Sequence, residues 1–159
     1  MIKHARTAFF ASFAAIALAF APQTANAQLA SETGRQQFDL SVNDLAQPIG
    51  VEVNMISANT RIMDIITGCG QGYVNFGFPD VSAHYSGGGQ ALVIAAEANT
   101  DTMLIVHTPD GQWLCSDNEG GGFNPRTEFY NPGPGEYKVW LGSRQYNQSA
   151  NAVIIFANH

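Results

Sequence analysis

Residues 101–140 read DTMLIVHTPDGQWLCSDNEGGGFNPRTEFYNPGPGEYKVW, and the alternation within them decides the fold. Met103, Ile105 and His107 alternate with Leu104, Val106 and Thr108, the period of a strand with one or both faces covered. Pro109-Asp110-Gly111 then supplies a turn: Pro fixes φ, Asp bonds local backbone and Gly accepts positive φ. Trp113, Leu114 and Cys115 carry the return strand of a hairpin. A loop of Asp117, Asn118, Glu119 and three glycines separates it from a strand over 127–130. After the breaker Pro132-Gly133-Pro134-Gly135, Tyr137, Val139 and Leu141 alternate with Lys138 and Trp140 in a further strand.

The same reading extends outward. Phe38, Leu40 and Val42 alternate with Asp39 and Ser41, and Ile49, Val51 and Val53 with Gly50, Glu52 and Asn54. Residues 55–67 are ambiguous, because Ile62, Ile65 and Ile66 have helical spacing while their β-branching suits a strand. Gly68-Cys69-Gly70-Gln71-Gly72 is a tight turn and not a phosphate loop, which needs a helix after it. Strands are expected over 73–78, 81–85, 91–98 and 152–156. Eight to ten short strands punctuated by turn residues predict an all-β chain, an antiparallel β-sandwich or jelly roll, with a single domain over 36–159.

Lys3, His4 and Arg6 precede an apolar run over 8–21, and Ala25-Asn26-Ala27 supplies a small-x-small cleavage site. Residues 1–27 therefore read as a secretory signal peptide and 28–35 as a flexible leader; the apolar run is too short for a membrane-spanning helix. A periplasmic or secreted chain is expected, with no membrane insertion after cleavage. The full sequence has 7 basic and 13 acidic residues, and removal of the signal leaves a net charge of about −8. That balance, without a basic cluster, excludes nucleic acid as a partner. Two cysteines, Cys69 and Cys115, remain. In an oxidising compartment they are expected to pair, two buried free thiols being the alternative.

The order Asp101-Thr102-x-Leu104, Pro109-Asp110-Gly111, Asp117-Asn118, Gly122-x-Asn124-Pro125 and Pro134-Gly135-x-Tyr137-x-Val139 resembles the bacterial pre-peptidase C-terminal (PPC) domain. The resemblance covers about forty residues, with Asn118 where the family has a second acidic residue and Pro125 where it has Ser. It implies a β-sandwich accessory domain without catalytic activity of its own, and related collagen-binding modules bind calcium and a polymeric substrate.

Three chemistries are conceivable on the residues themselves. Calcium takes six to eight oxygen ligands, which Asp101, Asp110, Asp117, Asn118 and Asn124 could supply around the glycine-rich loop; the same residues serve equally as turn formers. Hydrolysis would need a triad assembled from distant positions around His84 or His107, since none of Ser82, Ser86, Ser116 and Ser143 lies in a Gly-x-Ser-x-Gly elbow. Ligand stacking would use aromatics in polar loops, Phe123 and Tyr146, while most other aromatics are expected in the core. The reading is an exported, non-catalytic accessory or binding module with calcium as its one candidate cofactor and a protein or polysaccharide partner. A secreted serine-type hydrolase and a purely structural envelope protein are the alternatives.

Overall fold

The computed structural model describes residues 36–58, 60–89, 91–122 and 124–158. The expected signal peptide and leader lie outside them. Eleven strands form in chain order: β1 (Gln36–Leu40), β2 (Ile49–Ile56), β3 (Thr60–Arg61), β4 (Tyr73–Val74), β5 (Val81–Tyr85), β6 (Ala91–Ala98), β7 (Met103–His107), β8 (Trp113–Ser116), β9 (Arg126–Tyr130), β10 (Gly135–Ser143) and β11 (Ser149–Ala157). Two short 3-10 turns, Asp44–Ala46 and Ile62–Asp64, are the only helical elements among the described residues.

These strands make two sheets. One has four strands in the order β2-β11-β6-β9, all antiparallel. The other has seven and is built around β10, whose nine residues reach several partners. One edge of β10 pairs with β5 and, further along, with β4; β7 pairs with β10 and with β8. β1 adds beside β5 in parallel, a departure from the wholly antiparallel expectation. Alternation sends Val81, Ala83, Tyr85, Leu104, Val106, Tyr137, Val139 and Leu141 inward from the larger sheet. They meet Val51, Met55, Leu92, Ile94, Ala152, Ile154 and Phe156 from the smaller one in a single apolar core. Burial of each such side chain is worth roughly 1.5–3 kcal/mol, and the stacked pair of sheets follows from it.

The ambiguous segment resolves into an excursion over 57–79. The strand expected over 73–78 stops at Val74, and the 3-10 turn at Ile62–Asp64 replaces a helix. Its start is tied down by the Ser57 hydroxyl, which donates to the Gln145 carbonyl at 2.7 Å and accepts the Gln148 N–H at 2.8 Å. β4 can lie beside β10 because residue 142 is glycine: a Cβ there would come within 2.6 Å of the Tyr73 carbonyl oxygen. From this base the excursion folds over the outer face of the larger sheet. There Ile62, Ile66 and Val74 bury Met103, Ile105 and Trp140 in a second, smaller core. Met103, Ile105 and Trp140 have opposite parity to the main-core residues of their strands, so this face would otherwise be solvent-exposed.

Candidate functional site

The excursion covers one end of the outer face and leaves the other open. Strand register places Trp113, His107, Lys138, Ser82 and Gln37 in one continuous row across five strands, each Cα-paired with the next. At the usual spacing between strands this row runs roughly 19 Å. A shorter row, Glu136, His84 and Asp39, lies beside it on the open side. On the covered side Cys115, Ile105 and Trp140 form the next row. The last residues of the excursion, Gly77, Phe78 and Pro79, stand along this face as a wall. Between wall and rows lies a cavity of about 510 Å³, lined also by Trp113, His107, Trp140, Ser82, Lys138 and Gln37.

Aromatic rings form the floor of this groove. Phe76 stacks on Trp140 with centroids 5.0 Å apart and planes 12° from parallel. Trp113 packs against both, 5.4 Å from Phe76 and 5.3 Å from Trp140, and holds His107 at 4.4 Å. Trp113 is 38 % exposed and Phe78 50 % exposed, whereas Trp140 is 5 % exposed. The indole Nε1 of Trp140 is buried without an acceptor. Buried N–H donors ordinarily have a partner, and leaving one unpaired costs about 1–3 kcal/mol. Charge in the groove is balanced locally by an ion pair between Lys138 and Glu136 at 3.2 Å.

Asp80 sits where the excursion rejoins the sheet and β5 begins. Its N–H donates to the Val139 carbonyl, and its carboxylate accepts the Leu141 N–H at 2.7 Å, replacing the next rung of the ladder. Burial pushes its pKa up to about 6, only partly offset by that hydrogen bond.

The disulfide between Cys69 and Cys115 is present, with Cα atoms 5.6 Å apart, and it ties the excursion to β8. Of the expected calcium ligands, Asp101 and Asp117 come together around Arg144, whose Nε lies 3.7 Å from Asp101 and whose Nη2 bonds Asp117 directly. That contact raises the Arg144 pKa above its ordinary value. Asp110 does not join them: it caps the hairpin tip at the far end of β7, held by Thr108 and Gln112, and the Thr108 hydroxyl lowers its pKa. Asn118 and Asn124 close the loop by backbone bonds with Gly121 and Gly120, and the Asn124 side chain accepts the Ala98 N–H. Glu119 accepts from the Ser116 hydroxyl, which lowers its pKa. The five residues thus divide between two ends of the domain and do not converge on one shell. Among the described residues no group of three or more His, Cys, Asp or Glu side chains is placed to hold a metal.

His84 and His107 lie on the same outer face, but among the described residues neither bonds a serine. The hydroxyls of Ser116 and Ser143 are engaged with Arg126 and Gln148. Tyr146 is 64 % exposed and meets Tyr73 edge-on at 5.5 Å, away from the groove; Phe123 lies outside the described residues. Of the aromatics expected in the core, Trp140 and Phe76 belong to the second core, on the outer face, whereas Trp113 and Phe78 are exposed. The missed signal was parity, since Trp140 alternates with Val139 and Leu141 and therefore faces away from them.

No protein-family model matches the sequence, and no curated protein matches it. Among solved structures the chain is similar to PliG of Aeromonas hydrophila, a periplasmic lysozyme inhibitor of g-type lysozyme. The match covers 77 % of this chain and 97 % of that one, with 9 % sequence identity and a TM-score of 0.38. A likeness that distant says nothing about what this chain binds.

Proposed function

We propose that this protein is an exported, non-catalytic binding module that holds a protein or polysaccharide partner in the groove on the outer face of its larger sheet. The observation that carries the reading is the exposed Trp113 resting on the Phe76–Trp140 stack inside a concave, hydrogen-bonding surface. Ligand sites combine aromatic walls with a few placed polar groups, and tryptophan is enriched among residues that dominate binding energy. The intramolecular disulfide supports an oxidising, extracytoplasmic location. The resemblance of residues 101–142 to the PPC domain supports an accessory role over a catalytic one.

Capture from a cell-envelope fraction tests the reading. The mature protein should retain a component that Trp113→Ala does not, with both proteins folded at the temperature of the assay. Equal capture by both would move the binding site elsewhere. Labelling of the mature chain by a fluorophosphonate serine-hydrolase probe would overturn the non-catalytic reading. Calcium, were it used, would have to share Asp101 and Asp117 with Arg144, and is not needed by the groove.

A further inference from the structure

We infer that the occupant of the groove is an uncharged polysaccharide chain lying across the strands, along the row from Trp113 to Gln37. This rests on the binding-module reading above and narrows its partner.

The shape is the first argument. Trp113, His107, Lys138, Ser82 and Gln37 are consecutive Cα partners, so the row is straight and long and crosses the strands. A linear polymer with a repeating unit can follow such a track along its whole length. A folded protein of ordinary interface size would bury about 800 Å² per partner around an apolar centre, whereas among the described residues the exposed large apolar side chains lining this cavity are Trp113 and Phe78.

The chemistry is the second. A pyranose ring has an apolar C–H face and an equatorial belt of hydroxyls. It needs an aromatic plane beneath it and donors and acceptors around its rim. Trp113 and Phe78 supply planes, while Ser82, Gln37, His107 and the Lys138–Glu136 pair supply both donors and acceptors.

Charge is the third. Glu136 neutralises Lys138 at 3.2 Å, and the sequence carries a net charge of −6. A polyanion would find neither an unpaired cation along the row nor a favourable overall field, which leaves an uncharged chain as the matching polymer.

The protein has two tryptophans, Trp113 and Trp140, and both line the groove. Tryptophan fluorescence, excited beyond the tyrosine band, therefore reports on this site alone. Titration of the oxidised mature chain with the tetramer of N-acetylglucosamine and with cellotetraose should give a saturable change for at least one. Trp113→Ala should weaken that response by at least about tenfold, read from the remaining Trp140. Tyr130→Ala, which removes an exposed aromatic on another face, should leave it unchanged. No response of the wild type to either sugar, or equal weakening in both variants, overturns the inference. A photoreactive side chain at Gln37 separates the two levels of failure. A protein cross-linked there, with no saccharide response, sinks the polysaccharide and keeps the groove; neither signal sinks both.

Discussion

The two ends of one sheet face make the central comparison. At one end Met103, Ile105 and Trp140 lie under Ile62, Ile66 and Val74 and belong to a core. At the other, His107 and Lys138, on the same strands and with the same parity, meet solvent with Trp113 of the neighbouring β8. Nothing in the strands themselves separates the two. The difference is made by an excursion of the chain that covers one end, is tied to β8 by a disulfide and stops short of the rest. Where cover ends, Trp113 is left 38 % exposed on the ring stack, and that boundary is where the proposed binding is expected.

Breaking the tie should have the largest effect. The disulfide spans 46 residues of sequence, and its loss should cost about 4 kcal/mol on the chain-entropy account. Cys69→Ser and Cys115→Ser should lower the melting temperature by similar amounts and shift tryptophan emission to the red as Trp140 loses its cover. An unchanged emission would show that apolar packing alone holds the excursion.

Asp80 tests the boundary itself. Its pKa of about 6 in the folded chain lies above the ordinary 3.8, so the native state holds a proton that the unfolded state has released. Stability from this group is therefore complete below about pH 4, is lost as pH rises through 6, and stays lost above. A shift of about two units corresponds to roughly 3 kcal/mol. Asp80→Asn retains an acceptor for the Leu141 N–H and removes the dependence. Chemical denaturation should find the variant more stable than wild type at pH 8 and equal to it near pH 4. A variant that is less stable at pH 8 would mean that the charged carboxylate stabilises this junction.

Smaller effects should follow on the open side and in the polar loop. Trp113→Ala removes a ring that is already more than a third exposed, so its cost to stability should be about 1–2 kcal/mol, far below the loss from a buried indole. A collapse of the fold would show that Trp113 is a core residue and not a platform. Arg144→Gln should cost less than about 1 kcal/mol, since its ion pairs are half exposed. It would leave Asp101 and Asp117 facing each other without a cation. Its melting temperature should rise on adding millimolar calcium while that of the wild type stays fixed. A calcium shift in the wild type would show that the native protein binds the ion.

The sequence made the strands legible because alternation and turn residues are local. Pro109-Asp110-Gly111 and the alternating residues after Pro134 specify a hairpin and a strand without reference to the rest of the chain. The pairing of Cys69 with Cys115 was legible from export chemistry. The groove was not, because it depends on where residues 57–79 go. Ile62, Ile65 and Ile66 look like half of an amphipathic helix, and only contact with Met103 and Ile105 shows that they cap a sheet. Likewise Asp101, Asp110 and Asp117 are close in sequence, yet the five residues of β7 carry Asp110 to the opposite end of the domain. Loop polarity drew attention to Tyr146, whose ring meets Tyr73 edge-on and stands apart from the groove.

The bond at Cys115 also sets an order of events. If the chain is exported as proposed, this pair forms only after translocation, so the excursion that carries Gly77, Phe78 and Pro79 would be fastened to β8 later than the sheet beneath it is built. A reduced chain would on that account hold the same strands beside a looser wall.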